Sequence, residues 1–224
     1  MIVTIDGPSG TGKSTVAKRV AKSLGFTYVD TGAMFRAMAA GLILNGIDPS
    51  NHALFTKYIQ ENSLVLKKEH DITRYYFGKL DVTDHLRSLD VTELSSKIST
   101  LKEVRDKLAL VQRELGHGGD TVFEGRDMGT VIFPDAQVKI FLTAAPDIRG
   151  RRRFDELIAK DASLAKTLTL EQVVQDIKNR DARDENRSIA PLKPAPDAHL
   201  IDTSALSIEE VIERIITICN SVHS

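Results

Sequence analysis

The chain of 224 residues has one cysteine, Cys219, and no tryptophan. A single thiol excludes an internal disulfide framework and any multi-thiolate zinc centre. The histidines at 52, 70, 85, 117, 199 and 223 are scattered, with no pair at metal-ligand spacing. No apolar run approaches the ~18 residues of a membrane span. The opening MIVTID reads as a strand, without the basic region and apolar stretch of a secretory leader. Charge of one sign is missing too: 30 basic and 31 acidic side chains leave a net charge of −1, whereas a polyanion binder carries a basic excess. Asn186-Arg187-Ser188 matches a glycosylation sequon and, with no secretory leader expected, is read as a chance match. The expectation is a soluble, cytoplasmic protein of a reducing compartment, in contact with neither membrane nor nucleic acid.

With 42% hydrophobic residues the chain can bury a full core as one domain, or one domain with an insert. Ile2 to Asp6 reads as a strand, GPSGTGKS as a glycine-rich turn, and Lys13 to Leu24 as a helix striped by Val16, Val20 and Leu24. Phe26 to Val29 makes a second strand. A second helix follows Thr31, with Met34, Phe35, Met38 and Leu42 on one face. A short helix over 53–60 leads into two β-rich stretches, Ser63-LVLKK and Arg74-YYFGKLDVT, that a turn around Glu69 to Asp71 would join as a hairpin. One long helix is expected over 91–115. Strands Thr121 to Glu124, Val138 to Leu142 and His199 to Asp202 follow, and a last helix spans 208–219. Strands separated by helices imply parallel pairing. The fold class expected is α/β: a three-layer αβα core with a five-stranded parallel sheet. In this reading the core takes 1–50 and 91–224, a β-rich insert 51–90, and an arginine-rich lid 147–187.

Gly7-Pro8-Ser9-Gly10-Thr11-Gly12-Lys13-Ser14 matches G-x-x-x-x-G-K-[ST] between a strand and a helix. Such a loop turns backbone N–H groups inward as an anion nest at a helix N-terminus. Lys13 suits the β- and γ-phosphates of a nucleoside triphosphate, and the Ser14 hydroxyl suits Mg²⁺. The pattern predicts triphosphate binding without naming the acceptor. A small-molecule kinase, an ATPase motor and a nucleotide switch all remain open. The guanine-reading Asn-Lys-x-Asp of GTPases is absent. A kinase needs an acceptor pocket and an arginine-bearing cover, and residues for both are present.

Asp30-Thr31-Gly32-Ala33-Met34-Phe35-Arg36 follows the second strand, where a parallel sheet opens into its ligand crevice. Arg36 is the charged residue in an apolar stretch and reads equally as a surface arginine. Glu124-Gly125-Arg126-Asp127-Met128-Gly129-Thr130 leaves the end of a buried strand, a poor place for three charges unless they act there. Glu124 is positioned as a carboxylate on a Mg²⁺ water. Arg149-Gly150-Arg151-Arg152-Arg153 is a solvated face, a nucleic-acid patch (against which the overall charge balance argues), or a clamp for a transferring phosphoryl group. Leu170, Val173, Val174 and Ile177 stripe a helix whose stripe continues through Arg180, Asp184 and Arg187. That helix either enters a polar cleft or leaves the core for water.

In order, GPSGTGKST (7–15), DTGAMFR (30–36), EGRDMGTVIFPDA (124–136), VKIFLTA (138–144) and RDARDENRSIAPL (180–192) resemble the bacterial cytidylate kinase family over essentially the whole chain. The resemblance implies a nucleoside monophosphate kinase core with an enlarged monophosphate-binding insert. The reaction implied is ATP + (d)CMP giving ADP + (d)CDP, with Mg²⁺. Carried over, Gly7, Pro8, Ser9, Gly10, Thr11, Gly12, Lys13, Ser14 and Thr15 would bind ATP, with Ser14 and Glu124 toward the metal. Arg36, Arg126 and Arg187 would hold the CMP phosphate, beside Thr31. Ser96, Arg105 and Asp127 would read cytosine, and Arg180 and Asp184 would contact the sugar. Lys13, Arg149, Arg152 and Arg153 would act on the transferring group. Phe35 stands where many members carry tyrosine. Thr31 stands for a frequent serine, and Glu124 where aspartate also occurs. A nucleic-acid-binding P-loop ATPase and a non-enzymatic nucleotide sensor are the competing classes.

Overall fold

A computed structural model of the chain describes every residue except Asp71 and Ser224, with the His223 side chain also excepted. In chain order the elements are β1 (Ile2–Asp6), α1 (Lys13–Leu24), β2 (Thr27–Asp30), α2 (Thr31–Leu44), α3 (His52–Glu61), β3 (Leu64–Glu69), β4 (Ile72–Phe77) and β5 (Leu80–Asp81). There follow α4 (Leu89–Ile98), α5 (Lys102–His117), β6 (Thr121–Glu124), β7 (Val138–Thr143), α6 (Pro146–Lys160), α7 (Leu170–Asn186), β8 (His199–Asp202) and α8 (Ile208–His223). They form two compact units: Met1–Val29 with Gly118–Ser224, and Asp30–His117.

The first unit is built on a five-stranded sheet of order β2-β6-β1-β7-β8. β1 runs parallel to β6 and to β7, and β7 parallel to β8. β1 and β6 read as nearly uninterrupted buried residues because inner parallel strands are covered on both faces. Val3, Ile5, Val122, Val138, Ile140, Leu142 and Ile201 of the sheet pack with Val16, Ala17 and Val20 of α1 and with Val211, Ile212, Ile215 and Cys219 of α8. Burial pushes the Cys219 thiol up to about 11, so it behaves as a small apolar side chain. The expected α/β class and five-stranded parallel sheet are what the chain adopts, and α1 has the expected limits.

The second unit joins α2 to α5 with an antiparallel sheet of order β3-β4-β5. α2 is buried nearly all round and is the apolar axis of this unit. Its Gly41 lies against Phe77 of β4, and Tyr58 of α3 packs on the same ring at 5.7 Å. The expected hairpin is present and gains a third strand, β5; Asp71, in its turn, lies outside the described residues.

The single helix expected over 91–115 is instead two, α4 and α5. The hydroxyls of Ser99 and Thr100 donate to the carbonyls of Ser96 and Lys97, both at 2.8 Å, and Leu101 N–H closes a tight turn on Ile98. These bonds take up carbonyls that a further helical turn needs, so the first helix stops.

Candidate active site

β1 and β6 lie side by side in register, Ile5 opposite Glu124, so the loops after both leave the carboxyl edge of the sheet together. At Gly7 (φ 144) a Cβ would stand 2.1 Å from the Leu142 carbonyl oxygen of β7. Glycine alone lets the chain cross the neighbouring strand end there. Gly12 (φ 88) opens α1, whose first N–H groups face the loop. Lys13 is buried, and its ammonium donates to the Pro8 carbonyl at 2.6 Å. Burial, and then the charge of Arg126, hold Lys13 well below the usual lysine range; Glu124 pulls it back, Arg180 lowers it further, and Asp6 raises it. An arriving polyphosphate would relieve this crowding of positive charge. A cavity of about 540 Å³ borders the loop at Pro8, lined among others by Ala145, Pro146, Arg149, Asp202 and Ser204.

Glu124, at the end of β6, is 7% exposed and accepts two hydrogen bonds: from Ser14 Oγ on Oε1 and from Tyr28 Oη on Oε2, both at 2.6 Å. The hydroxyl and the carboxylate expected to face a metal are therefore neighbours. Mg²⁺ takes oxygen donors and is usually held by one or two protein oxygens plus substrate phosphates. Ser14 and Glu124 are that donor set, and the residues fit the ion.

Beyond Glu124 the structure brings together four of the charged residues marked in the sequence. Arg126 Nε donates to Asp184 Oδ2 at 3.1 Å, and Arg187 lies 3.8 Å from Asp184 Oδ1 and 3.5 Å from Asp127 Oδ1. Arg187 also donates to the carbonyl of Ala190, a residue held at φ 50 in a conformation that alanine seldom adopts. α7 thus enters a polar cleft: its buried face passes from Val173 and Ile177 to Asp181 and Asp184. A Thr169/Gln172 capping box fixes the start of that helix.

The three cover arginines have three different surroundings. Arg149 is buried, paired with Asp181 and donating to the carbonyls of Ala144 (2.8 Å) and Ser9 (3.0 Å), so it braces the glycine loop from α6. Arg152 donates to the Thr203 carbonyl at 2.6 Å and to its hydroxyl at 3.1 Å. Arg153 is half-buried and pairs with Glu156 one turn on.

The second unit carries its own marked residues. Asp30 caps α2 through Ala33 N–H and holds Arg36 at 2.9 Å; a Cβ on Gly32 would come 3.0 Å from the Arg36 guanidinium. Arg105 is buried, donates to the Ser99 carbonyl at 3.0 Å, and lies 5.6 Å over the Phe35 ring. Phenylalanine at that position gives the guanidinium a π face. Ser96 is half-buried on α4 and Thr31 buried at the start of α2.

Sequence reading missed three residues. Asp181 lies one position past Arg180 on the helix stripe and was masked by it. Tyr28 points from β2 to Glu124, and Asp6 ends β1 with its carboxylate buried. Burial foremost, and then the negative charge of Asp127, raise Asp6 to about 6, although the N–H groups of Gly129 and Met128 pull it back. No pattern local to any of these residues names its partner.

A five-stranded parallel sheet with a G-x-x-x-x-G-K-[ST] loop after its central strand defines a P-loop phosphate-binding protein of the α/β class. The family model described as cytidylate kinase matches residues 3–221. A cytidylate kinase of Protochlamydia amoebophila is 48% identical over 96% of this chain and 95% of its own. One from Halalkalibacterium halodurans is 44% identical over 96% of each. An uncharacterized protein from Eubacterium ventriosum, 12% identical, superposes over 99% of this chain and 98% of its own with a TM-score of 0.53, a likeness of fold alone. The chain belongs to the cytidylate kinase family.

Proposed function

We propose that the chain phosphorylates CMP and dCMP with ATP, giving CDP or dCDP and ADP. The observation that carries this reading is the set Arg126, Asp184, Arg187 and Asp127 on the loop and helix beside the phosphate-binding loop. Two guanidinium groups held in place by buried carboxylates make a preorganised receiver for a phosphate monoester. Family membership across residues 3–221 supports the same acceptor.

Transfer needs positioning and charge rather than a covalent intermediate. An oxygen of the CMP phosphate attacks the γ-phosphorus of ATP, and the bond to the bridging oxygen of ADP breaks. Residues Gly7 to Thr15 cradle the ATP phosphates, and Lys13 exchanges the Pro8 carbonyl for them. The cavity bordering Pro8 takes the nucleoside of ATP; its volume lies in the range of small-molecule sites. Arg126 and Arg187 hold the acceptor phosphate, with Arg180 and Asp184 toward the sugar. Arg36, Thr31, Ser96 and Arg105 of the second unit join this proposal through the family resemblance. Arg149 keeps the loop in shape, while Arg152 and Arg153 offset charge as the phosphoryl group moves. Ser14 and Glu124 would hold Mg²⁺, which when bound offsets negative charge on the phosphates. The insert at 51–90 and the lid at 147–187 are the parts proposed to close over the substrates and exclude water.

Asp127 supplies specificity in this reading. A carboxylate accepts only, so it suits the 4-amino group of cytosine and opposes the 4-carbonyl of uracil. Arg105 donates only, which suits N3 or O2 of cytosine and not N3–H of uracil. Each unpaired group costs about 1–3 kcal/mol, so CMP is used better than UMP by roughly tenfold or more. The chain is proposed to work as a cytoplasmic monomer on small molecules, without nucleic acid; among the described residues no helix is long and apolar enough to cross a membrane.

Coupled ADP release with each nucleoside monophosphate, and with RNA, tests the proposal. Release that depends on CMP and dCMP is the expected result. RNA-dependent release, or none with CMP, refutes it. Asp127→Asn narrows the ratio of kcat/KM for CMP to that for UMP, since an amide also donates to the uracil oxygen.

A further inference from the structure

We propose that Asp6 is the positioning residue for the base-reading side chain Asp127, a proposal that rests on the function inferred above. Asp6 is the last residue of β1, one position before the phosphate loop, and is 4% exposed. Its Oδ1 accepts from Met128 N–H at 3.0 Å and its Oδ2 from Gly129 N–H at 2.8 Å. These are the two peptide N–H groups that follow Asp127, and they open a single π-helical turn, Met128–Ile132. The first N–H groups of a helical turn have no partner inside it, so an outside acceptor decides where they point.

That decision reaches the Asp127 side chain directly. The Met128 N–H lies in the same peptide plane as the Asp127 carbonyl, so anchoring it holds that plane and the Asp127 Cα attached to it, where ψ is 20. At the opposite edge of this peptide the Asp127 carbonyl accepts from Val131 N–H at 2.9 Å and from Ile132 N–H at 3.3 Å. With the peptide held at both its N–H and its carbonyl, the Asp127 Cα from which the carboxylate projects is held in place against the sheet. The loop lies hard against β1, since a Cβ on Gly129 would come 2.9 Å from Thr4 Oγ1. Arg187 then meets the Asp127 carboxylate from the end of α7.

The pattern calls for a carboxylate and not merely a polar group. Both oxygens accept from backbone N–H groups; asparagine would offer one oxygen and turn an NH₂ donor toward the second N–H. A buried carboxylate is costly to keep, and here its oxygens serve the loop that carries Asp127.

The test is steady-state kinetics of Asp6→Asn with CMP and UMP, beside its thermal unfolding. The parent is measured first: if it does not phosphorylate CMP, the functional reading fails independently of this proposal. With a parent that prefers CMP, Asp6→Asn is expected to lower the CMP to UMP ratio of kcat/KM by about tenfold, the effect of a lost charged hydrogen bond. KM for CMP rises more than KM for ATP. A merely structural Asp6, or one acting only through neighbouring Lys13, would lower stability or disturb kcat and KM for ATP while leaving the ratio unchanged; that result overturns the proposal. Asp6→Ser, with one acceptor oxygen and no charge to bury, decides the matter by the same ratio if Asp6→Asn does not fold.

Discussion

Replacing Asp181 by leucine isolates what holds the phosphate loop in shape. Asp181 and Arg149 are 7% and 4% exposed and form an ion pair between α7 and α6. Removing one partner of such a pair leaves a buried charge unmatched, which costs about 3–5 kcal/mol. Arg149 keeps its bonds to the carbonyls of Ala144 and Ser9, so the low end, about 3 kcal/mol, is the expected loss. For a chain of this size that lowers the melting temperature by about 6–12 °C. The second expectation concerns Arg149→Met with Asp181→Leu. Asp181 Oδ1 is buried without a hydrogen-bond partner, so the native pair is incompletely compensated. An apolar pair of similar volume should therefore recover most of the lost stability. It should not recover turnover, because the Ser9 carbonyl loses its brace. Urea midpoints and kcat/KM on the parent, both single variants and the double variant provide the measurement. A loss below about 1 kcal/mol in Asp181→Leu, the level of an exposed pair, would refute the reasoning. So would a double variant less stable than either single one.

Asp6, raised from 3.8 to about 6, makes stability depend on pH in a stated direction. Its contribution is complete below pH 3.8 and is lost as pH rises through about 6, by about 3 kcal/mol. Urea unfolding at pH 4 and pH 7.5 should show that loss in the parent and not in Asp6→Asn. Gly41→Ala would place a methyl 2.4 Å from Phe77 Cδ1 and should destabilise by about 1–3 kcal/mol, read as a lower urea midpoint. Arg152→Ala with Arg153→Ala should lower kcat by about a thousandfold while KM for CMP changes little, in line with arginines acting on a phosphoryl transition state. Unchanged turnover would mark both as structural.

Much of this molecule was readable from residue order because it depends on neighbours in the chain. The glycine loop is one such feature: its positive φ angles and the helix start at Lys13 follow from residues 7–14 alone. The strands Thr121–Glu124 and His199–Asp202 follow from short runs set between helices, and the inward face of α7 from its three- and four-residue spacing, which a few consecutive residues specify. The break between α4 and α5 was not readable. A serine or threonine hydroxyl can point to solvent or back to a carbonyl, and at Ser99 and Thr100 it turned back. Arg149 to Arg153 looked like one cluster because side-chain identity says nothing about which groups approach. Packing of α6 against α7, where a Cβ on Gly150 would meet Val174, buried Arg149 beside Asp181 and left Arg153 half-buried, paired with Glu156. Asp6 and Met128 are 122 positions apart, and Ser14 and Glu124 are 110. The sequence by itself determined the phosphate-binding chemistry and the segments that carry it. Only the tertiary structure decided which carboxylate meets which guanidinium, hydroxyl or N–H, because those choices are made by burial and parallel strand register rather than by local backbone preference.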